Sequence, residues 1–201
     1  SSFATTMANS IIHKVEKYGF NGIDFDMEHR SGDFISCGKL IAQVIKLIRA
    51  SGRESGKPII ITMVPQMVNF HPTQKLISSG TNELMPLIAF ASPCIDLIMP
   101  QMYNSWQAVE TIDYAKQYYP TIANSFSWQS TSVNYNIIIK PTQVGLAYPA
   151  AAPAGQGFQD PDKVATMING FKPKSAGVAT WDIGWDEKFD WNFSKAMLSL
   201  K

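Results

Sequence analysis

Residues 59–64, Ile-Ile-Ile-Thr-Met-Val, form a β-branched run with no alternation of polar and apolar positions. A strand written this way is covered on both faces, the habit of parallel sheets packed between helices. Parallel neighbours need a crossover, usually a helix, and the rest of the chain supplies them. Phe3, Met7, Ile11, Val15 and Tyr18 recur every three or four residues, an apolar helical stripe closed by Gly19. Residues 20–28 then alternate apolar with polar and acidic residues at period two, which predicts a strand. A helix from about Ser36 to Ala50 ends at Ser51-Gly52. Helices follow near Thr81–Phe90, Trp106–Tyr118, Asp162–Asn169 and Phe193–Leu200, and strands at Ile95–Gln101, Thr142–Ala147 and Gly177–Trp181. Strands thus recur every ~35–50 residues with a helix between each pair, so the class is α/β with a parallel sheet.

An open doubly wound sheet and a closed eight-stranded barrel both satisfy this pattern. No Gly-rich phosphate loop follows any strand, which weakens the nucleotide-binding open sheet. Polar residues gather at the C-terminal ends of several strands: Asp26 and Glu28, Gln66, Gln101 and Tyr103, Trp181 and Asp182. Spreading them over successive strands favours a barrel mouth. Only five βα units can be counted, whereas a closed barrel needs eight. The expectation is a (β/α)8 TIM barrel to which this chain supplies roughly strands 4 to 8, with a smaller complete fold as the alternative. With no initiator Met and no signal-like start, a leader is expected to be gone already.

Composition removes several function classes. Seventeen Lys and Arg against sixteen acids give a net charge of +1, so no phosphate-neutralising groove and no nucleic-acid partner is expected. No apolar stretch reaches the ~18 residues that suggest a membrane span. His13, His29 and His71 lack zinc-ligand spacing, so no metal or cofactor is expected. Cys37 and Cys94 are too few for a disulfide framework; two buried free thiols are expected, although sequence leaves a bridge open.

Asp24, Asp26 and Glu28 carry the chemistry. At period two on a strand they point to one face, with Phe25 and Met27 on the other. Inside a barrel three carboxylates would crowd a low-dielectric space, and at least one should hold a proton near neutral pH. A carboxylic acid kept protonated is what general acid catalysis requires. Glu28, last on the strand and with the longest arm, would reach the mouth.

Residues 22–28, Gly-Ile-Asp-Phe-Asp-Met-Glu, resemble the Asp-Gly-x-Asp-x-Asp-x-Glu strand of glycoside hydrolase family 18, the chitinases and their relatives. Val64-Pro65-Gln66 is similar to the end of that family's fifth strand, and Gln101-Met102-Tyr103-Asn104 to its sixth. Gly145-Leu146-Ala147 resembles the seventh, and residues 177–182 the eighth. Asn21 departs from the family's Asp, and the family's first three strands find no counterpart. The resemblance implies an endo-chitinase cleaving β-1,4-linked N-acetylglucosamine polymers by a substrate-assisted retaining reaction. Glu28 would be the acid and base, Asp26 the acceptor of the sugar's acetamido N–H, Asp24 its proton-sharing neighbour, and Tyr103 a donor to the acetamido oxygen. Trp181 would floor the sugar site, with Gln66, Gln101, Asn104 and Met63 as further substrate contacts. Trp106 and Tyr148 are candidate stacking aromatics, whereas Trp128, Trp185 and Trp191 are read as core. An endo-β-N-acetylglucosaminidase on N-glycans and a non-catalytic chitin-binding lectin are the alternatives. Chitin as partner implies a secreted protein, and a second chain or fragment would supply the missing strands.

Overall fold

The computed structural model describes residues 2–28, 32–78, 80–105, 110–130 and 133–200. Helix α1 (Ser2–Tyr18) leads into strand β1 (Gly22–Phe25), and α2 (Phe34–Glu54) into β2 (Ile60–Met63). Helix α3 (Met85–Ala91) precedes β3 (Leu97–Ile98), and α4 (Ile112–Ile122) precedes a hairpin of β4 (Phe126–Gln129) and β5 (Asn134–Ile137). Strand β6 (Leu146–Pro149), α5 (Pro161–Gly170), β7 (Val178–Trp181), α6 (Ile183–Lys188) and α7 (Asn192–Met197) complete the chain.

β1, β2 and β3 pair in parallel, as do β6 and β7. Isolated parallel bridges at Ile98–Val144 and Gln101–Ala147 join β3 to β6. The result is a five-stranded parallel order β1-β2-β3-β6-β7 interrupted by the antiparallel hairpin. Among the described residues the sheet does not close: β1 and β7 are its two edges. The expected parallel α/β class is present as an open sheet.

Alternation divides each strand between two environments. On β2, Ile61 and Met63 are fully buried against helices, whereas Ile60 and Thr62 point to the concave face. Helix α2 packs Ile41, Val44, Ile45 and Ile48 onto the outer side, the stripe that the 3.6-residue period demands. Its first turn is capped by Asp33, which accepts from the amides of Ile35 and Ser36 at 3.0 and 3.1 Å. Where α2 crosses α3, Gly38 lets the helices meet; a Cβ there would lie 2.8 Å from the Leu87 nitrogen. Arg49 pins α2 to the start of the sheet. It donates to the carbonyls of Cys94 and Ile59 at 2.8 and 3.1 Å and to Asp96 at 2.5 Å, and Asp96 in turn accepts from the Ile61 amide.

Several boundaries differ from the sequence expectation. The β1 ladder ends at Phe25, whose carbonyl accepts the last cross-strand bond from Val64; residues 26–28 run on without ladder partners of their own. Helix α4 begins at Ile112, capped by Thr111, and residues 106–109 of the expected helix lie outside the described residues. The β4–β5 hairpin was not expected, because it sits inside a stretch read as one long connection. Trp191 is more exposed than a core reading allows, at 38%, whereas Trp128 is buried and donates to the Gln74 carbonyl at 2.7 Å. Cys37 and Cys94 are both free, but half-buried rather than buried as expected. No described helix is long and apolar enough to cross a membrane.

Candidate active site

The acid strand begins at Gly22, where no side chain fits: a Cβ would stand 2.2 Å from the Ile60 carbonyl oxygen. This close approach seats β1 against β2 in a register that pairs Asp24 with Thr62. Asp24 accepts a hydrogen bond from the Thr62 hydroxyl. One pleat further, Asp26 accepts from the side-chain amide of Gln101 at 3.0 Å, and the same amide reaches Glu28 at 3.3 Å and the Val64 carbonyl at 2.9 Å. The Glu28 carbonyl accepts from the side-chain amide of Asn69 at 3.3 Å. Asn69 lies in a single 3-10 turn, Met67–Asn69, just past β2. Neither Asn69 nor Thr62 was singled out from the sequence; the one signal was their position at and beyond the C-terminal end of a strand.

Asp24, Asp26, Thr62, Met99, Tyr103 and Trp181 share a hollow of about 220 Å³ on the concave face of the sheet. These residues come from four strands or their extensions, β1, β2, β3 and β7. Tyr103 is 7% exposed and Trp181 is 50% exposed. Trp181 ends β7 and offers an open ring face, and Asp182 behind it caps α6 by accepting from the Trp185 amide at 3.1 Å. Glu28 is half-buried and does not line the hollow; Gln101 links it to Asp26.

Asp24 and Asp26 remain exposed. Even so, partial burial first, then the charges of Glu28 and Asp24, push the Asp26 carboxyl up from its ordinary range, and the Gln101 hydrogen bond opposes the rise. Burial also raises the Tyr103 hydroxyl, with Asp26, Glu28 and Asp24 adding to it. Tyr103 therefore stays a neutral hydrogen-bond donor wherever the carboxylates are ionised.

The remaining candidates have other places. Gln101 is 1% exposed and directs its amide to the acids. Gln66 is half-buried and bridges to Gln101 through its backbone. Asn104 is exposed, but its side-chain oxygen accepts from the Gln156 amide at 2.9 Å, tying the loop after β3 to that after β6. Met63 is fully buried in the core on the face opposite Thr62. Tyr148 is fully buried within β6, so it cannot stack on a sugar. Trp106 lies outside the described residues. No cluster of His, Cys, Asp and Glu suited to a metal occurs among the described residues.

No family model matches the chain. Over 89% of its length it is 24% identical to a probable class II chitinase of Arthroderma benhamiae, and over 96% it is 23% identical to endochitinase 37 of Trichoderma harzianum. The chain spans 65% and 60% of those relatives, less than two thirds of their length. Among solved structures, a family 18 chitinase from Chromobacterium violaceum superposes on 99% of the chain with a TM-score of 0.79 at 20% identity, using 60% of its own chain. Over nearly its whole length the chain is thus similar in sequence to chitinases, and it shares the fold of a solved family 18 chitinase.

Proposed function

We propose that residues 1–201 form the C-terminal portion of a family 18 catalytic barrel, strands 4 to 8 with their helices, and that it hydrolyses β-1,4-linked N-acetylglucosamine polymers internally. One observation carries the reading: Asp24 and Asp26 share a hollow with Tyr103 and Trp181 on one face of the sheet. The names of the relatives, chitinase and endochitinase, point to the same substrate.

Each side chain has a task in the reaction. Glu28 protonates the glycosidic oxygen. The sugar's own acetamido carbonyl attacks the anomeric carbon, so no enzyme nucleophile is needed. Asp26 accepts the acetamido N–H, holding the group in line and balancing the positive charge of the oxazolinium ion that forms. Asp24, held by Thr62, presses on Asp26 with like charge. Tyr103, kept neutral by burial, donates to the acetamido oxygen, and Trp181 gives the pyranose ring a face to lie on. Glu28 then takes a proton from the attacking water. A positioned acid–base of this kind typically contributes 10²–10⁴-fold.

The barrel reading assigns the strands absent here to a further segment or second chain closing the gap between β1 and β7. A polymeric substrate of this kind would be met outside the cell. The test is hydrolysis of a fluorogenic chitobioside against a fluorescent N-glycan. Release from the chitobioside alone is expected. Cleavage of the N-glycan instead would make the protein an endo-β-N-acetylglucosaminidase, and binding of chitin oligomers with no release would make it a lectin.

A further inference from the structure

We propose that Gln101 is a positioning residue for the acid pair: its side-chain amide, locked in one orientation by the Val64 carbonyl, is the shared donor that holds the Asp26 and Glu28 carboxylates together. This replaces the expectation that Gln101 meets sugar hydroxyls. Its catalytic consequence rests on the chitinase reading, but the clamp is a property of this chain alone.

The backbone of Gln101 is fixed from both sides. Its amide donates to the Pro65 carbonyl at 2.8 Å, its carbonyl accepts from Met67 at 3.2 Å, and it bridges to Ala147 in β6. With the main chain immobilised and 1% of the residue exposed, the side chain has little freedom. A backbone carbonyl can only accept, so Val64, 2.9 Å away, requires nitrogen rather than oxygen on that side of the amide. Turning the amide over would set two oxygens against each other. One amide hydrogen serves Val64, and the other is left for the two carboxylates, closer to Asp26 at 3.0 Å than to Glu28 at 3.3 Å. The amide oxygen is buried with no partner among the described residues. The side chain thus leaves an acceptor unpaired in order to hold its donor on the acids, an arrangement that needs an explanation in a buried group.

The electrostatics agree. The charged groups acting on Asp26 are both acids, Asp24 and Glu28, with the Tyr103 hydroxyl facing them from beyond β3. Burial raises Asp26 as well, and Gln101 pulls it back. A fixed neutral donor between two carboxylates keeps them adjacent without neutralising either, as a Lys or Arg would.

Carboxyl-carbon NMR of the labelled 201-residue chain tests the clamp without depending on turnover. In Gln101→Met, which keeps the length but removes the donor, the Asp26 midpoint should rise by about one pH unit. Gln101→Asn, one methylene too short to reach, should behave the same way. In the wild-type chain the Gln101 side-chain amide resonance should move with the Asp26 midpoint, a readout that survives if either variant fails to fold. An Asp26 midpoint unchanged in the folded variants, or a wild-type amide resonance flat through that range, overturns the proposal. A chain that shows the clamp but cleaves no chitobioside would refute the chitinase reading and leave the clamp standing.

Discussion

Asp26 shows how a site is built against the stability of its own fold. Its carboxyl is raised by burial and by two acidic neighbours. Between the ordinary carboxylate range and the raised folded value, the folded chain binds more protons than the unfolded one, so stability falls as pH rises through that window. Asp26→Asn keeps an oxygen for the Gln101 amide and removes the charge. It should raise the melting temperature at pH 7, by no more than ~2 °C because Asp26 is exposed and solvent screens it. The gain should vanish at about pH 3, where Asp26 is protonated in both states. A melting temperature at pH 7 equal to or below wild type would contradict that sign. Activity should move oppositely, since a neutral amide at this position cannot balance the charge that develops on the acetamido group. Trp181, half exposed, makes a milder case: Trp181→Ala should raise KM by roughly 3–10-fold, the worth of one aromatic stack, and an unaltered KM for a chitobioside would remove it from the sugar site.

At the scale of elements, what the sequence disclosed and what it hid have separate physical origins. The acid strand was legible because period two is local, and alternation alone fixes which side chains share a face; the reason for Gly22, a Cβ clash with Ile60 of the neighbouring strand, is not. The β-branched run of β2 was legible for the same reason. The task of Gln101 was not, since residues 64, 26 and 28 meet it only after the strands pair. The β4–β5 hairpin was missed because its sequence carries no Asn-Gly or Asp-Gly turn signal. Tyr148 was misread through a strand boundary set about two residues early, which moved it from a buried strand position into a loop. The Arg49 clasp is equally non-local. Arg49→Ala would leave the Cys94 and Ile59 carbonyls and Asp96 without their donor. It should cost about 2–3 kcal/mol, read as a lower urea midpoint with unchanged slope. A midpoint within experimental error of wild type would show that the clasp contributes nothing to stability.

Among the described residues the parallel sheet has two unpaired edges. β2 and β3 are flanked by strands on both sides, whereas β1 and β7 each have one partner. The concave face carries residues that a closed barrel would bury; Ile60 is 48% exposed. Edge strands open more readily than central ones. Amide exchange measured by mass spectrometry should therefore be at least ~10-fold slower at Ile60–Met63 than at Gly22–Phe25. Equal protection would mean that β1 is covered by something absent from this sheet, such as a second copy. The open edge beside the acids is also where an additional segment would bring the greatest change, by enclosing Asp24 and Asp26 and raising the Asp26 carboxyl further.

The proposed reaction depends on a proton delivered by Glu28. Turnover of a fluorogenic chitobioside, compared between wild type and Glu28→Gln with oligosaccharide binding followed in parallel, addresses it most directly. The prediction is turnover by the wild-type chain, a loss of at least ~10²-fold in the variant, and sugar binding retained. Turnover in Glu28→Gln equal to wild type would contradict the mechanism.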